Sequence, residues 1–210
     1  MPIDRTAIAS VDTRGGLILL GIVAAALIWS GIAPTDRLTW LPEVVWVLVG
    51  VPILLATRQR YPLTRLLYIL IALHCLILIV GGRYTYALVP PGFWVQDALD
   101  LSRNHYDRLG HFAQGFVPAI LARELLLRQT PLRPGGWLSD LCVAAALSFS
   151  AFFEMIEWWA ALIWGGAADA FLATQGDVWD TQWDMFMALI GAGTALTLLS
   201  RLHDRQLGLR

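Results

Sequence analysis

The stretch TQGDVWDTQWDM, residues 174–185, sets Asp177, Asp180 and Asp184 three and four positions apart. On a helix that spacing turns all three carboxylates toward nearly one side. Two further segments carry ionisable residues at helical spacing. DRLGHFAQG puts Asp107 and His111 four apart with Gln114 a turn deeper, and FFEMIEWW puts Glu154 and Glu157 three apart. Carboxylates joined by an imidazole form a donor set for a divalent cation. A cation so held polarises a phosphoryl or carbonyl oxygen, or activates water. An Asp–His pair also makes a general acid–base unit. Asp107, His111 and Glu154 are therefore the candidate catalytic residues. His111, Glu154, Glu157, Asp177, Asp180 and Asp184 are the candidate ligands. Arg108 and Gln114 are candidate substrate contacts, with Arg103 and Arg108 able to meet a phosphate.

Each residue also has a plain reading. Asp177 and Asp180 can be solvated loop or helix-capping residues. Asp184 suits a helix N-terminus, and Asp107 with His111 suits a helix border. His74 reads as a satisfied core histidine, His105 has no assigned role, and Arg123 and Glu124 read as solvated at the cytoplasmic end. Glu154 and Glu157 resist a plain reading, because carboxylates inside an apolar span need partners.

The elements that must position these groups are membrane spans. The chain has 210 residues, 57% of them hydrophobic, with ten Trp, fifteen Arg, no Lys and a net charge of −1. Runs such as LILLGIVAAALIWSGIA and LLYILIALHCLILIV exceed what a soluble surface helix carries. Six spans follow, at 16–33, 40–56, 63–81, 107–127, 138–164 and 183–202, with Pro34 and Pro62 at two of the breaks. The long 82–106 connection carries Pro90-Pro91-Gly92 and a short amphipathic stretch around Val95–Leu101. An all-α polytopic bundle forming one integral membrane domain is expected, since only helices or closed barrels satisfy their backbone in lipid. The N-terminus lacks the pattern of a cleaved signal peptide, so the first span is expected to be retained. Cys75 and Cys142 lie inside apolar runs and are expected to be free thiols.

Arginine placement orients the bundle. With both termini cytoplasmic, residues 5, 14, 58, 60, 65, 123, 128, 133, 201, 205 and 210 give eleven inner arginines against four outer ones, Arg37, Arg83, Arg103 and Arg108. That is the positive-inside pattern. Trp158, Trp159, Trp164, Trp179 and Trp183 then fall near the outer face, where indole rings anchor. The same orientation brings Asp107, His111, Glu154, Glu157 and the aspartate stripe to one depth near the outer side, with His74 at a compatible depth.

DRLGHF, FFEMIEWW and TQGDVWDTQWDM, with a small-residue GAG behind the last, resemble the YjdF-like family of uncharacterised bacterial inner-membrane proteins. The likeness covers roughly residues 100–200 and implies a multi-pass inner-membrane protein with no established activity. The acidic helices are also distantly similar to VanZ-like membrane proteins, although EMIEWW replaces that family's glutamate–glutamine pattern.

These residues suit metal-assisted hydrolysis or headgroup transfer on a lipid or envelope precursor, with the lipid bilayer as surroundings and nothing resembling a nucleic-acid-binding patch. A proton- or cation-coupled transporter would use the same carboxylates, although no inverted repeat is visible. A non-catalytic interaction protein is the third class.

Overall fold

A computed structural model describes residues 8–209, and Arg5 and Arg210 of the arginine count lie outside them. A long helix forms at the place of each of the six expected spans. These helices are α1 (Thr13–Ile32), α2 (Arg37–Thr57), α3 (Arg65–Tyr84), α5 (Tyr106–Gln129), α6 (Gly136–Trp164) and α8 (Asp180–Gln206). Helix α4 (Pro90–Ala98) lies between α3 and α5, while a short 3-10 turn and α7 (Asp169–Leu172) follow α6. Three starts are capped as their sequences favour: Asp12 accepts from Gly15 N at 2.8 Å, Asp36 from Thr39 N at 2.7 Å, and Thr64 from Leu67 N at 3.4 Å.

Five of the long helices have the length and hydropathy to cross a membrane, namely α1, α2, α3, α8 and α6 with its extension to Leu172. Helix α5 is the exception, although its 24 residues span about 36 Å at helical rise. It packs against α8, α6 and α3. A central helix enclosed on those sides can be polar, because protein replaces lipid around it. This is a multi-pass helical bundle with its polar helix in the middle.

Both ends of the described chain lie together. Ala9 N donates to Gln206 O at 2.8 Å and Arg65 N to Ala9 O at 2.8 Å, tying the N-terminal segment to the starts and ends of α3 and α8. At the opposite end Thr35 N donates to Arg83 O at 3.0 Å. The arginine-poor end is thus a single face, and the exposed Trp158, Trp159, Trp179 and Trp183 cluster toward it.

The tightest crossing is that of α5 and α8. A methyl group added at Gly115 would run into the Ala188 carbonyl, and one added at Gly191 would run into the Phe112 carbonyl. Backbone therefore meets backbone, the close approach that small residues permit between helices in lipid.

Two expectations need correction. The amphipathic stretch around 95–101 begins earlier, at Pro90, because Pro90 and Pro91 occupy the first turn, where a missing N–H costs no helical bond. Arg123 and Glu124 are not solvated: they are 4% and 0% exposed. Arg123 pairs with Asp204 at 2.6 Å and His203 Nδ1 at 2.9 Å. Glu124 accepts from Arg128 at 2.7 Å and Thr64 Oγ1 at 2.8 Å, and His203 Nε2 lies 3.1 Å from it. The sequence placed these charges at the end of a span, but α3 and α8 close over them.

Replacing Gly115 or Gly191 with Ala should lower the melting temperature in detergent, with an overpacking cost of about 1–3 kcal/mol. Gly193→Ala, whose added methyl meets nothing within 4 Å, should change it little.

Candidate functional site

The outer half of α5 carries Asp107 and His111 one turn apart, both buried. The α5–α8 crossing lies just below, and it carries Asp184 across to them. One ligand atom each from Asp107, His111 and Asp184 falls within 4.8 Å of the others. His111 Nε2 is 3.7 Å from Asp107 Oδ1, while its Nδ1 faces Glu154 Oε1 on α6 at 3.5 Å. The imidazole is thus set between two carboxylates from different helices, and its ring packs edge-on to Phe153 at 5.9 Å between centroids.

Several polar atoms here have no hydrogen-bond partner among the described residues. His111 Nδ1, Glu154 Oε1, Asp184 Oδ1, Gln114 Nε2, His74 Nε2 and Ser150 Oγ are all buried with no hydrogen bond. An orphaned buried polar atom costs about 1–3 kcal/mol, and here several gather in one place. His74 therefore departs from the satisfied core histidine expected of it.

The aspartate stripe divides. Asp177 precedes the helix, in a turn where its Oδ1 accepts from Trp179 N at 3.0 Å, and α8 begins only at Asp180. Asp180 pairs with Arg103 at 2.6 Å, and Asp177 pairs with Arg108 at 2.7 Å and Arg103 at 3.4 Å. Asp184 alone points into the acidic centre. The structure therefore brings Asp107, His111, Asp184 and Glu154 together and gives Asp177 and Asp180 to the arginines. Glu157 lies a turn beyond Glu154, half-buried, and interacts electrostatically with Glu154, Asp107 and Asp184.

Two arginines form the roof. Arg103 also donates to the carbonyls of Thr174 at 2.8 Å and Ala173 at 3.2 Å, holding a segment in which Ala173 and Gln175 take left-handed φ of 49°. Gln175 and Asn104 exchange two further bonds, at 3.1 and 2.8 Å. Arg108 lies over the Trp183 ring, 5.0 Å from its centroid. Beside them His105 is held below its ordinary pKa by burial and then by Arg108 and Arg103.

One carboxylate escaped the sequence reading. Glu43 of α2 is 3% exposed, has no hydrogen bond among the described residues, and interacts with Asp107 and Glu157. Its signal was a lone acid seven residues into an apolar helix, without a second ionisable group at helical spacing. Tyr86 joins the same group through interactions with Glu43 and Asp107.

A buried acidic centre roofed by arginines, in a bundle with five helices long and apolar enough to cross a bilayer, defines a multi-pass integral membrane protein. Residues 16–205 match the family described as predicted membrane protein (DUF2238), and the chain belongs to that family. It is similar to the Inner membrane protein YjdF of Escherichia coli (strain K12), with 59% identity over 181 residues, covering 86% of this chain and 87% of that protein. The family resemblance read from the sequence is borne out; neither match is to a VanZ-like protein. No solved structure matches.

Arg103→Gln should release the roof. Hydrogen exchange at residues 173–179 should rise several-fold, whereas exchange in α1 should stay as in the wild type.

Proposed function

We propose that the outer acidic centre holds a divalent metal ion and that the protein uses it for hydrolysis or headgroup transfer on a lipid or envelope precursor. The observation that carries this reading is the contrast between two buried polar layers of one bundle. The cytoplasmic layer pairs Arg123 and Arg128 with Asp204 and Glu124. The outer layer gathers Asp107, His111 and Asp184 within ligating distance, leaves His111 Nδ1, Glu154 Oε1 and Asp184 Oδ1 orphaned, and sends its arginines elsewhere. Buried carboxylates with no cationic partner need a counter-charge, and this donor set fits one.

Asp107, Asp184 and His111 would hold the ion, through Nε2 if the imidazole keeps its present orientation toward Asp107. Glu154 then stands behind Nδ1, where a carboxylate fixes the tautomer and orientation of a ligating histidine. A divalent ion held there supplies a polarised oxygen or an activated water. Glu157 and Glu43, without bonds to hold them, are placed to take up or return a proton. Arg108, with its Nε unpartnered and its guanidinium at the rim, suits an anionic group arriving from the outer face.

Elemental analysis of detergent-purified protein, reloaded with divalent cations, tests this. The wild type should hold stoichiometric metal, and His111→Ala and Asp184→Asn should lose it while retaining their fold. Asp177→Asn, whose carboxylate serves Arg108, should keep it. A well-folded wild type that takes up no metal would sink the reading and hand the carboxylates to proton or solute binding. Glu154→Gln should weaken metal affinity by about 10–100-fold, the usual cost of losing a group that orients a ligand.

A further inference from the structure

Beneath the acidic centre the bundle opens into a cavity of about 650 Å³ between α2 and α6, floored by α3 and α5. Helices α2 and α6 do not pack along their length. They meet at the top of the opening, where Trp46 stacks edge-on against Phe149 with centroids 4.9 Å apart. Below that lintel the walls are mostly Ile, Leu, Val and Ala side chains, reaching from Gln114 to Gln129 along α5. Fifteen residues of helix make a slot about 22 Å long.

The upper end differs from the rest. His74 and Gln114 line it, and the Nε2 atoms of both are buried and unpartnered. Gln114 is only 4% exposed. Pro118, also in the wall, withdraws the N–H that would close on the Gln114 carbonyl. Gln114 follows His111 by three residues, so this polar end lies a turn below the acidic centre, and His74 interacts electrostatically with His111.

We propose that the α2–α6 cavity is the binding slot for one hydrocarbon chain of a lipid whose ester or phosphoester oxygen accepts a hydrogen bond from Gln114 Nε2, with the chain directed toward the cytoplasmic side. An apolar void stays dry, and one facing the bilayer fills with chain. The side-chain amide supplies a donor that none of the described residues uses, and a lipid linkage supplies the acceptor. This deepens the proposed function by naming the substrate class, and rests on it only for what happens to the headgroup. The occupant is a lipid rather than a protein helix, because about 650 Å³ spread along about 22 Å leaves a mean cross-section of about 30 Å², enough for an alkyl chain but not for a helix of about 10 Å diameter.

The test is photolabelling in nanodiscs with a phospholipid bearing a diazirine at its chain terminus, read by peptide mapping. Label should concentrate on the lower slot, around Ile53, Thr57, Leu125 and Gln129, over the exposed Leu162 and Ile163. Gly50→Trp and Ala145→Trp, which fill the slot from opposite walls, should each cut slot labelling at least fivefold. Gly21→Trp, in open space on α1, should not. Gln114→Leu should reduce labelling while leaving the melting temperature near wild type. Labelling spread evenly over the lipid-facing surface and unchanged by both filling variants would overturn the proposal. His111→Ala separates the two readings. Slot labelling that persists in this metal-free variant shows that the slot stands without the ion; a wild type that labels selectively but takes up no metal sustains the slot and removes the metal centre, and a wild type that binds metal but labels unselectively does the reverse.

Discussion

Everything at the outer end depends on the contact between Gly115 of α5 and Ala188 of α8, mirrored by Gly191 against Phe112. Lipid gives helices no hydrophobic reason to associate, so packing and polar bonds must hold them. Here two glycines let main chain approach main chain, and the side chains one turn further out inherit that closeness. Asp184 stands four residues before Ala188, and His111 stands four before Gly115. Were the axes a methyl group further apart, the two would be separated and the acidic centre would lose a wall. Gly115, Ala188 and Gly191 are thus the fulcrum on which the site is built.

From that crossing the bundle runs into two polar layers with opposite characters. Toward the cytoplasm, His203, Glu124, Arg123 and Asp204 form a network whose members hold one another at 2.6 to 3.1 Å. Buried charge of this kind is tolerable because each group is paired, and removing one partner would be costly. The outer layer is buried to a similar degree, yet its His111 Nδ1, Glu154 Oε1 and Asp184 Oδ1 have no hydrogen bond among the described residues. A protein that can complete one network could complete the other, and the arginines required are present at the rim. They hold Asp180, Asp177 and the carbonyls of the 173–174 turn, forming a roof over carboxylates that they leave unneutralised. That division of labour is the physical basis for proposing a ligand site in one layer and a structural clamp in the other.

Much of this was legible in the sequence, for identifiable reasons. The spans showed because their breaks are marked by Asp, Pro and arginine clusters, and positive-inside asymmetry set Asp107, His111, Glu154 and Asp184 at one depth. The polar helix α5 was readable as a span only from its place in the order, since its charges face protein. The division of the aspartate stripe was not legible: spacing of three and four suggests one continuous helix, and the turn at Asp177 depends on arginines more than sixty residues away. Glu43 was hidden by standing alone. The burial of Glu124 depended on Thr64 and His203, brought from two other helices, which no local pattern reveals.

The central claim is that His111, carried by α5, and Asp184, carried by α8, share one ion. Pulsed electron paramagnetic resonance of protein reconstituted with Mn²⁺ tests it most directly. The account predicts a bound Mn²⁺ coupled to a single imidazole nitrogen, with the coupling lost in His111→Ala and kept in His74→Ala. A spectrum of the aquo ion alone, or a nitrogen coupling that survives His111→Ala, would contradict it.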